Sequence, residues 1–227
     1  MTDQHQQKKH GVRDNMPSTD LPPRDFWNEM YSQRERMWSG KANATLEAEL
    51  TKLEPGTVLD LGCGEGGDVF WLAQHGWRAT GIDISDVAVA RARENAAALG
   101  LSEDEANFVC ADLTTWESEA TFDVVVSSFL QSPVELFREQ ILADALKRVK
   151  PGGRLIVLSH AGLPPWAEVD PDFHRFPNPV QEAEYLAPEE SGDTVIFAGA
   201  VEREVEGPDG QKGTIPDGLI VVEKALL

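Results

Sequence analysis

The run Val58-Leu59-Asp60-Leu61-Gly62-Cys63-Gly64-Glu65-Gly66-Gly67 carries a short apolar segment into a glycine-rich turn that opens a helix. Glycines at such a junction let a ligand approach the backbone, and the helix start offers free N–H groups and the positive end of its dipole. Asp60, two residues ahead of the first glycine, suits a phosphate cradle poorly and a ligand bearing an ammonium well. A tight strand-to-helix turn with no ligand fits the glycine run equally.

Two further acids follow apolar runs. Asp83 closes Gly81-Ile82-Asp83, about twenty residues past the glycine turn, where an acid can hold both ribose hydroxyls. It also suits the start of the helix that follows. Asp112 comes after Phe108-Val109-Cys110-Ala111 and before Leu113. There its carboxylate can accept from an exocyclic amine while neighbouring backbone N–H groups meet ring nitrogens, or it can simply cap a loop. Three acids at successive strand ends point to a ligand at the carboxyl edge of a sheet. His160 directly follows a later apolar run, so it stands on the same edge, and histidine's ordinary titration range suits proton abstraction near neutrality. A loop histidine satisfied by its surroundings is the alternative. His174 is a second candidate base.

Positioning these residues takes a parallel α/β sheet, the expected product of short apolar runs alternating with amphipathic helices. Strands are expected at 57–61, 78–82, 106–110, 122–127 and 154–159, with helices near 66–75, 85–99 and 134–149, the second capped by Ser85. Pro151-Gly152-Gly153 reads as a turn between helix and strand. Ahead of the sheet, Phe26, Trp27, Met30, Tyr31 and Met37 recur mostly at helical spacing across 25–38, and a second helix runs from Asn43, as N-cap, to Leu53. Residues 1–23 read as a flexible tail and 24–227 as one domain with a helical cap over 24–54.

The last third differs. Six prolines, Pro164, Pro165, Pro171, Pro177, Pro179 and Pro188, argue against a regular helix or central strand, so 161–192 is expected to be an irregular insertion forming a lid or substrate wall. Trp166 and Phe173 would give that wall its apolar surface. Glu168, Asp170 and Asp172 would favour a neutral or cationic acceptor. Residues 193–206 and 212–225, flanking Gly207-Pro208-Asp209-Gly210, form a β-hairpin.

Of 227 residues, 41% are hydrophobic and 26% charged, ordinary globular usage that excludes collagen-like, disordered and disulfide-scaffold classes. Twenty Lys and Arg against 39 Asp and Glu give a net charge of −19. That balance repels polyanions, so no nucleic-acid partner is expected. No apolar run is long enough to cross a bilayer and the first residues lack a signal-peptide core, so no membrane partner and a cytoplasmic location are expected. Cys63 and Cys110 are too few for a disulfide framework and match no metal-ligand spacing, so no metal is expected.

The motifs LDLGCGEG, GIDIS and the Cys110–Leu113 segment resemble those of the class I S-adenosylmethionine-dependent methyltransferases, in particular the small-molecule group of thiopurine and tellurite-resistance-type enzymes. The resemblance spans roughly residues 25 to 160. It implies a Rossmann-like α/β fold, a seven-stranded mostly parallel sheet with helices on both faces and a C-terminal antiparallel hairpin. It also implies that Gly62, Cys63 and Gly64 give backbone contacts to the methionine part of S-adenosylmethionine. Asp83, beside Ile84, takes the ribose, and Asp112, between Ala111 and Leu113, takes the adenine amine. Ser127 and Phe129 become backbone neighbours of the methionine moiety, although core packing suits Phe129 as well. Trp27, Tyr31 and Trp38 match an aromatic segment that covers the cofactor, and packing into the core is the alternative for them.

The reaction so implied moves a methyl group in line from S-adenosylmethionine, leaving S-adenosylhomocysteine, to an O, N or S nucleophile of a small molecule. Such a reaction needs orientation and exclusion of water above all. A base, His160 here, matters only where the nucleophile must lose a proton. A non-catalytic binder of the cofactor and a nicotinamide-dependent oxidoreductase are the competing functions; the second lacks a placeable catalytic Tyr–Lys pair. The fourth strand ends in SSFL rather than an NPPY-type motif, which disfavours amino-methylation of nucleic acid. A monomer or homodimer is expected.

Overall fold

The computed structural model describes residues 16–167, 176–207 and 209–226. The elements run α1 (Pro23–Ser32), α2 (Ala44–Leu50), β1 (Thr57–Leu61), α3 (Gly67–Gln74), β2 (Arg78–Asp83), α4 (Asp86–Ala98), β3 (Ala106–Cys110), β4 (Phe122–Ser128), α5 (Arg138–Lys147), β5 (Val149–His160), α6 (Pro179–Leu186), β6 (Thr194–Glu206) and β7 (Lys212–Glu223). They build one seven-stranded sheet in the order β3-β2-β1-β4-β5-β7-β6. The first five strands are parallel, and β7 runs antiparallel to both β5 and β6. This is the Rossmann-like sheet with a terminal hairpin that the motifs imply.

Strand alternation divides the core into two faces. Val58, Val124, Val126, Ile156, Leu158 and Val221 pack with α2, α3 and α4 on one side. Leu59, Val125, Leu155, Val157 and Ile220 pack with α5 and α6 on the other. Because β1 is buried on both faces, its near-continuous apolar run follows from its place at the centre of a covered sheet. The caps are also local: Asn43 Oδ1 accepts from Thr45 and Leu46 N–H, and Ser85 Oγ from Ala88 N–H, fixing where α2 and α4 start.

Four sequence expectations change. The first helix stops at Ser32 rather than near 38, and the chain then runs without regular structure to α2. The helix expected from 134 starts only at Arg138. Pro151-Gly152-Gly153 lies inside β5 rather than in a turn: Gly152 takes φ of 75°, and Gly152 N–H and Gly153 C=O pair with Lys224. A side chain at Gly153 would collide with the Asp123 carbonyl oxygen. Within the proline-rich stretch α6 is a regular helix, because Pro179 falls in its first turn, where no N–H is needed, and Asn178 caps it.

Asp123 ties the start of β1 to β5. Burial alone would raise its carboxyl, but Thr57 N–H and hydroxyl and Lys150 Nζ, at 2.7, 2.7 and 2.9 Å, hold it down at about 2. A depressed carboxyl stabilises the fold above its unfolded value and loses that effect as pH falls through the folded one. Asp123→Asn should therefore lower the thermal midpoint at neutral pH. The deficit should vanish between about pH 4 and 2, as read by thermal unfolding across that window.

Candidate functional site

A cavity of about 900 Å³ opens at the carboxyl edge of β1, β2 and β4. Its floor is the glycine turn. Gly62 N–H and Cys63 N–H both donate to the Ile82 carbonyl, at 2.8 and 3.0 Å, which folds the turn onto the end of β2. Gly62 adopts φ of 75° with the Leu130 side chain where a Cβ would stand, and Gly64 adopts φ of 54° beneath the Tyr31 hydroxyl. Any larger residue at either position is strained and clashes with these neighbours.

Three carboxylates line this floor, Asp60 and Asp83 buried and Asp68 half-buried. Asp83 Oδ2 accepts from Gly64 N–H and Oδ1 from Ser85 N–H, both at 2.9 Å, so it locks the glycine turn and starts α4 at once. Burial nevertheless raises its carboxyl above the ordinary range. Asp60 is 2% exposed, and burial, followed by repulsion from Asp68 and Asp83, pushes it well up. Asp68, accepting from Asn43 N–H at 3.1 Å, is raised by burial too. Burial and the same acids push up the Cys63 thiol, whose sulfur fills the space over Gly81. Such a floor attracts cations and repels phosphates.

Above it lies the segment between α1 and α2. Glu65 accepts from Met37 and Trp38 N–H at 2.9 and 3.2 Å through one oxygen and pairs with Arg91 at 2.9 Å through the other. Trp38 Nε1 donates to the Tyr31 hydroxyl at 3.1 Å, while burial pushes the Tyr31 phenol up. Trp27 leans on Tyr31 with ring centroids 6.0 Å apart, and all three aromatics line the cavity. Asn28 anchors the helix that carries them, accepting from Ser85 Oγ at 2.7 Å and donating to Asp86 at 2.8 Å. Neither Glu65 nor Asn28 was singled out from sequence; Glu65 sits inside the glycine motif and was hidden by it.

Asp112 and Leu113 line a third side with Ile84, and Asp112 Oδ1 accepts from Thr114 N–H and hydroxyl at 2.9 and 2.7 Å. Ala111 packs instead toward the α5 face, and Ser127 is buried away from the cavity wall. The reason is that β4 continues through Ser128, so Ser128, Phe129 and Leu130 reach the cavity. Phe129, at φ of 55°, is the one non-glycine residue with positive φ among the described residues. Its ring stacks on the His160 ring at 4.2 Å, and the His160 backbone N–H donates to Gln131 Oε1 at 2.9 Å. Asp217 and Arg203, brought beside His160 by the hairpin, were missed from sequence, although an acid within the apolar run of β7 was a usable signal.

Trp166 packs over Gly213 rather than in the cavity. His174, Phe173, Glu168, Asp170 and Asp172 lie outside the described residues. Among the described residues no group of His, Cys, Asp or Glu forms a metal-holding cluster, and no helix is long and apolar enough to cross a membrane.

Residues 58–153 match the family model described as "Methyltransferase domain". The chain is 34% identical over 116 residues to a ribosomal RNA small subunit methyltransferase C of Alcanivorax borkumensis, covering 49% of this chain and 34% of that protein. It is 34% identical over 134 residues to a 2-heptyl-1-hydroxyquinolin-4(1H)-one methyltransferase of Mycobacteroides abscessus, covering 57% of this chain and 55% of that one. The chain thus spans between a third and just over half of the length of these relatives. Magnesium protoporphyrin IX methyltransferase of Synechocystis PCC 6803, solved with bound S-adenosylmethionine, shares the fold with a TM-score of 0.63 at 18% identity, covering 89% of this chain and 95% of that one.

The raised acids have a stability consequence. A carboxyl raised by folding favours the fold below the ordinary carboxylate range, and that contribution is lost as pH rises through the raised value. Asp60→Asn should therefore raise the thermal midpoint of the ligand-free protein near about pH 8, with the gain shrinking toward about pH 4. Scanning calorimetry at several pH values checks this.

Proposed function

We propose that this chain, whose residues 58–153 match the methyltransferase-domain family model, binds S-adenosylmethionine in the cavity over the glycine turn and methylates an O, N or S nucleophile of a small molecule. The observation that carries the reading is the floor itself: buried Asp60 and Asp83 with raised carboxyls beneath two left-handed glycines. S-adenosylmethionine brings an ammonium and a sulfonium to such a floor, and its methyl group is already activated by the sulfonium charge. A dinucleotide would instead set two phosphates against Asp60, Glu65, Asp68 and Asp83.

Residue roles follow. Asp83 accepts the ribose hydroxyls on the lone pairs left by Gly64 and Ser85, and Asp112 accepts the adenine amine. Asp60, with the backbone of Gly62 to Gly64, holds the amino-acid end. Tyr31, Trp27 and Trp38 cover the reacting centre and keep water out; their rings present negative faces to a cation. Residues 24–54 act as a cap of one 24–227 domain, a reading supported by Glu65 tying Met37 and Trp38 to the turn.

A small-molecule acceptor suits the cavity and its rim, where Trp38 and Phe137 are 54% and 51% exposed. The relative acting on a hydroxyquinolinone supports this. One relative acts on ribosomal RNA, but a net charge of −19 opposes a polyanionic acceptor here.

Asp83→Ala removes hydrogen bonds to a charged group worth about 1.5–3 kcal/mol each. Calorimetry should show affinity for S-adenosylhomocysteine falling at least about tenfold, with the folded signal in circular dichroism intact. Unchanged affinity would remove Asp83 from the ribose role.

A further inference from the structure

The antiparallel hairpin does more than close the sheet. Residues directly opposite on β5 and β7 share a face, and His160 is paired in register with Asp217. Asp217 is fully buried, at 0% exposure. Arg203 on β6 reaches it with a two-pronged contact, Nε to Oδ2 at 2.5 Å and Nη2 to Oδ1 at 3.2 Å. His160 Nδ1 stands 3.8 Å from the same Oδ1. Burial alone would raise the Asp217 carboxyl, but His160 and Arg203 hold it below its ordinary value.

The imidazole itself is held on a second side. Phe129 stacks on one face, fixed by a backbone at φ of 55°, and Arg203 lies 5.7 Å over that same ring. A bulky residue kept in left-handed conformation is costly and persists where the surroundings dictate it. With Nδ1 turned to a buried anion, Nε2 is the nitrogen left to the cavity, which His160 lines at 46% side-chain exposure. The charged groups sharing this corner are Asp217 from β7, Arg203 and Glu204 from β6, and Glu135 from the β4–α5 connection.

We infer that Asp217, fixed by Arg203, is the positioning residue that presents His160 Nε2 to the acceptor, so that the site takes a protonated nucleophile, a hydroxyl or a thiol, on a flat apolar body. The inference rests on the methyltransferase reading. In the step, the acceptor's proton passes to Nε2 and its freed electron pair forms the bond to the methyl carbon. The carbon–sulfur pair returns to sulfur, so the positive charge of the sulfonium reappears on the imidazolium. Asp217 stabilises that imidazolium without taking a proton. The apolar body fits beside Phe129, Leu130, Leu136 and Phe137, all on the cavity wall.

The test begins on the wild-type full chain, labelled with ¹⁵N-histidine and saturated with S-adenosylhomocysteine. Nitrogen NMR of the neutral His160 ring should show the proton on Nδ1, against the usual preference of free imidazole; a proton on Nε2 overturns the inference, and no variant need fold for that result. Turnover of 1-naphthol with S-adenosylmethionine should fall about 100-fold in kcat in His160→Gln. It should fall also in Asp217→Asn, with KM for the cofactor unchanged in both. Turnover of N,N-dimethyl-1-naphthylamine, whose lone pair is free without a base, should not differ between wild type and His160→Gln, and an equal fall of about 100-fold with this amine overturns the inference. Wild-type turnover of 1-naphthol by His160→Gln overturns the inference. Calorimetry of S-adenosylhomocysteine on the same samples separates the two readings: absent binding sinks the methyltransferase reading, whereas normal binding with a proton on Nε2 sinks this inference alone.

Discussion

A carboxylate withdrawn from water must be hydrogen-bonded or matched by a positive charge, and the rest of this structure is arranged around two that are buried, Asp60 and Asp83, and a third, Asp68, that is half-buried at one glycine turn. Asp83 is satisfied by the turn it stabilises, through Gly64 N–H, and by the start of α4, through Ser85 N–H. That pair of bonds fixes β2 against the β1–α3 junction and so defines the cavity floor. Asp60 and Asp68 have less compensation, and their raised carboxyls mark where a cation has most to gain.

The cap and the hairpin are two responses to the same edge. Glu65 spends one carboxylate oxygen on the backbone of Met37 and Trp38 and the other on Arg91, so the covering segment is tied to the turn it covers. On the far side the antiparallel return of β7 places Asp217 opposite His160, an adjacency that a purely parallel sheet would not give. The cavity is therefore bounded by carboxyls raised by burial at its floor and by a histidine–carboxylate pair at its wall.

Much of this was legible in the sequence where local rules suffice. β1 and β3 begin and end where apolar runs meet glycine and polar residues, and the caps Asn43 and Ser85 act as their types predict. What escaped depends on contacts between distant residues. α1 halts at Ser32, and the irregular chain beyond it is held at Met37 and Trp38 by Glu65, a residue distant in sequence. The Pro151-Gly152-Gly153 bulge is kept in the ladder by Lys224, and Arg203 and Asp217 meet only once hairpin register is set. Pro179 misled because a proline count ignores position: in a first turn it starts a helix rather than ending one.

The most direct measurement is a parallel calorimetric titration of the wild-type chain with S-adenosylmethionine, S-adenosylhomocysteine and NADH. The acidic floor predicts binding of the first two and none of the third. Binding of NADH alone would contradict the account at its base, because a pyrophosphate would then be seated among the buried acids that it requires to hold a cation.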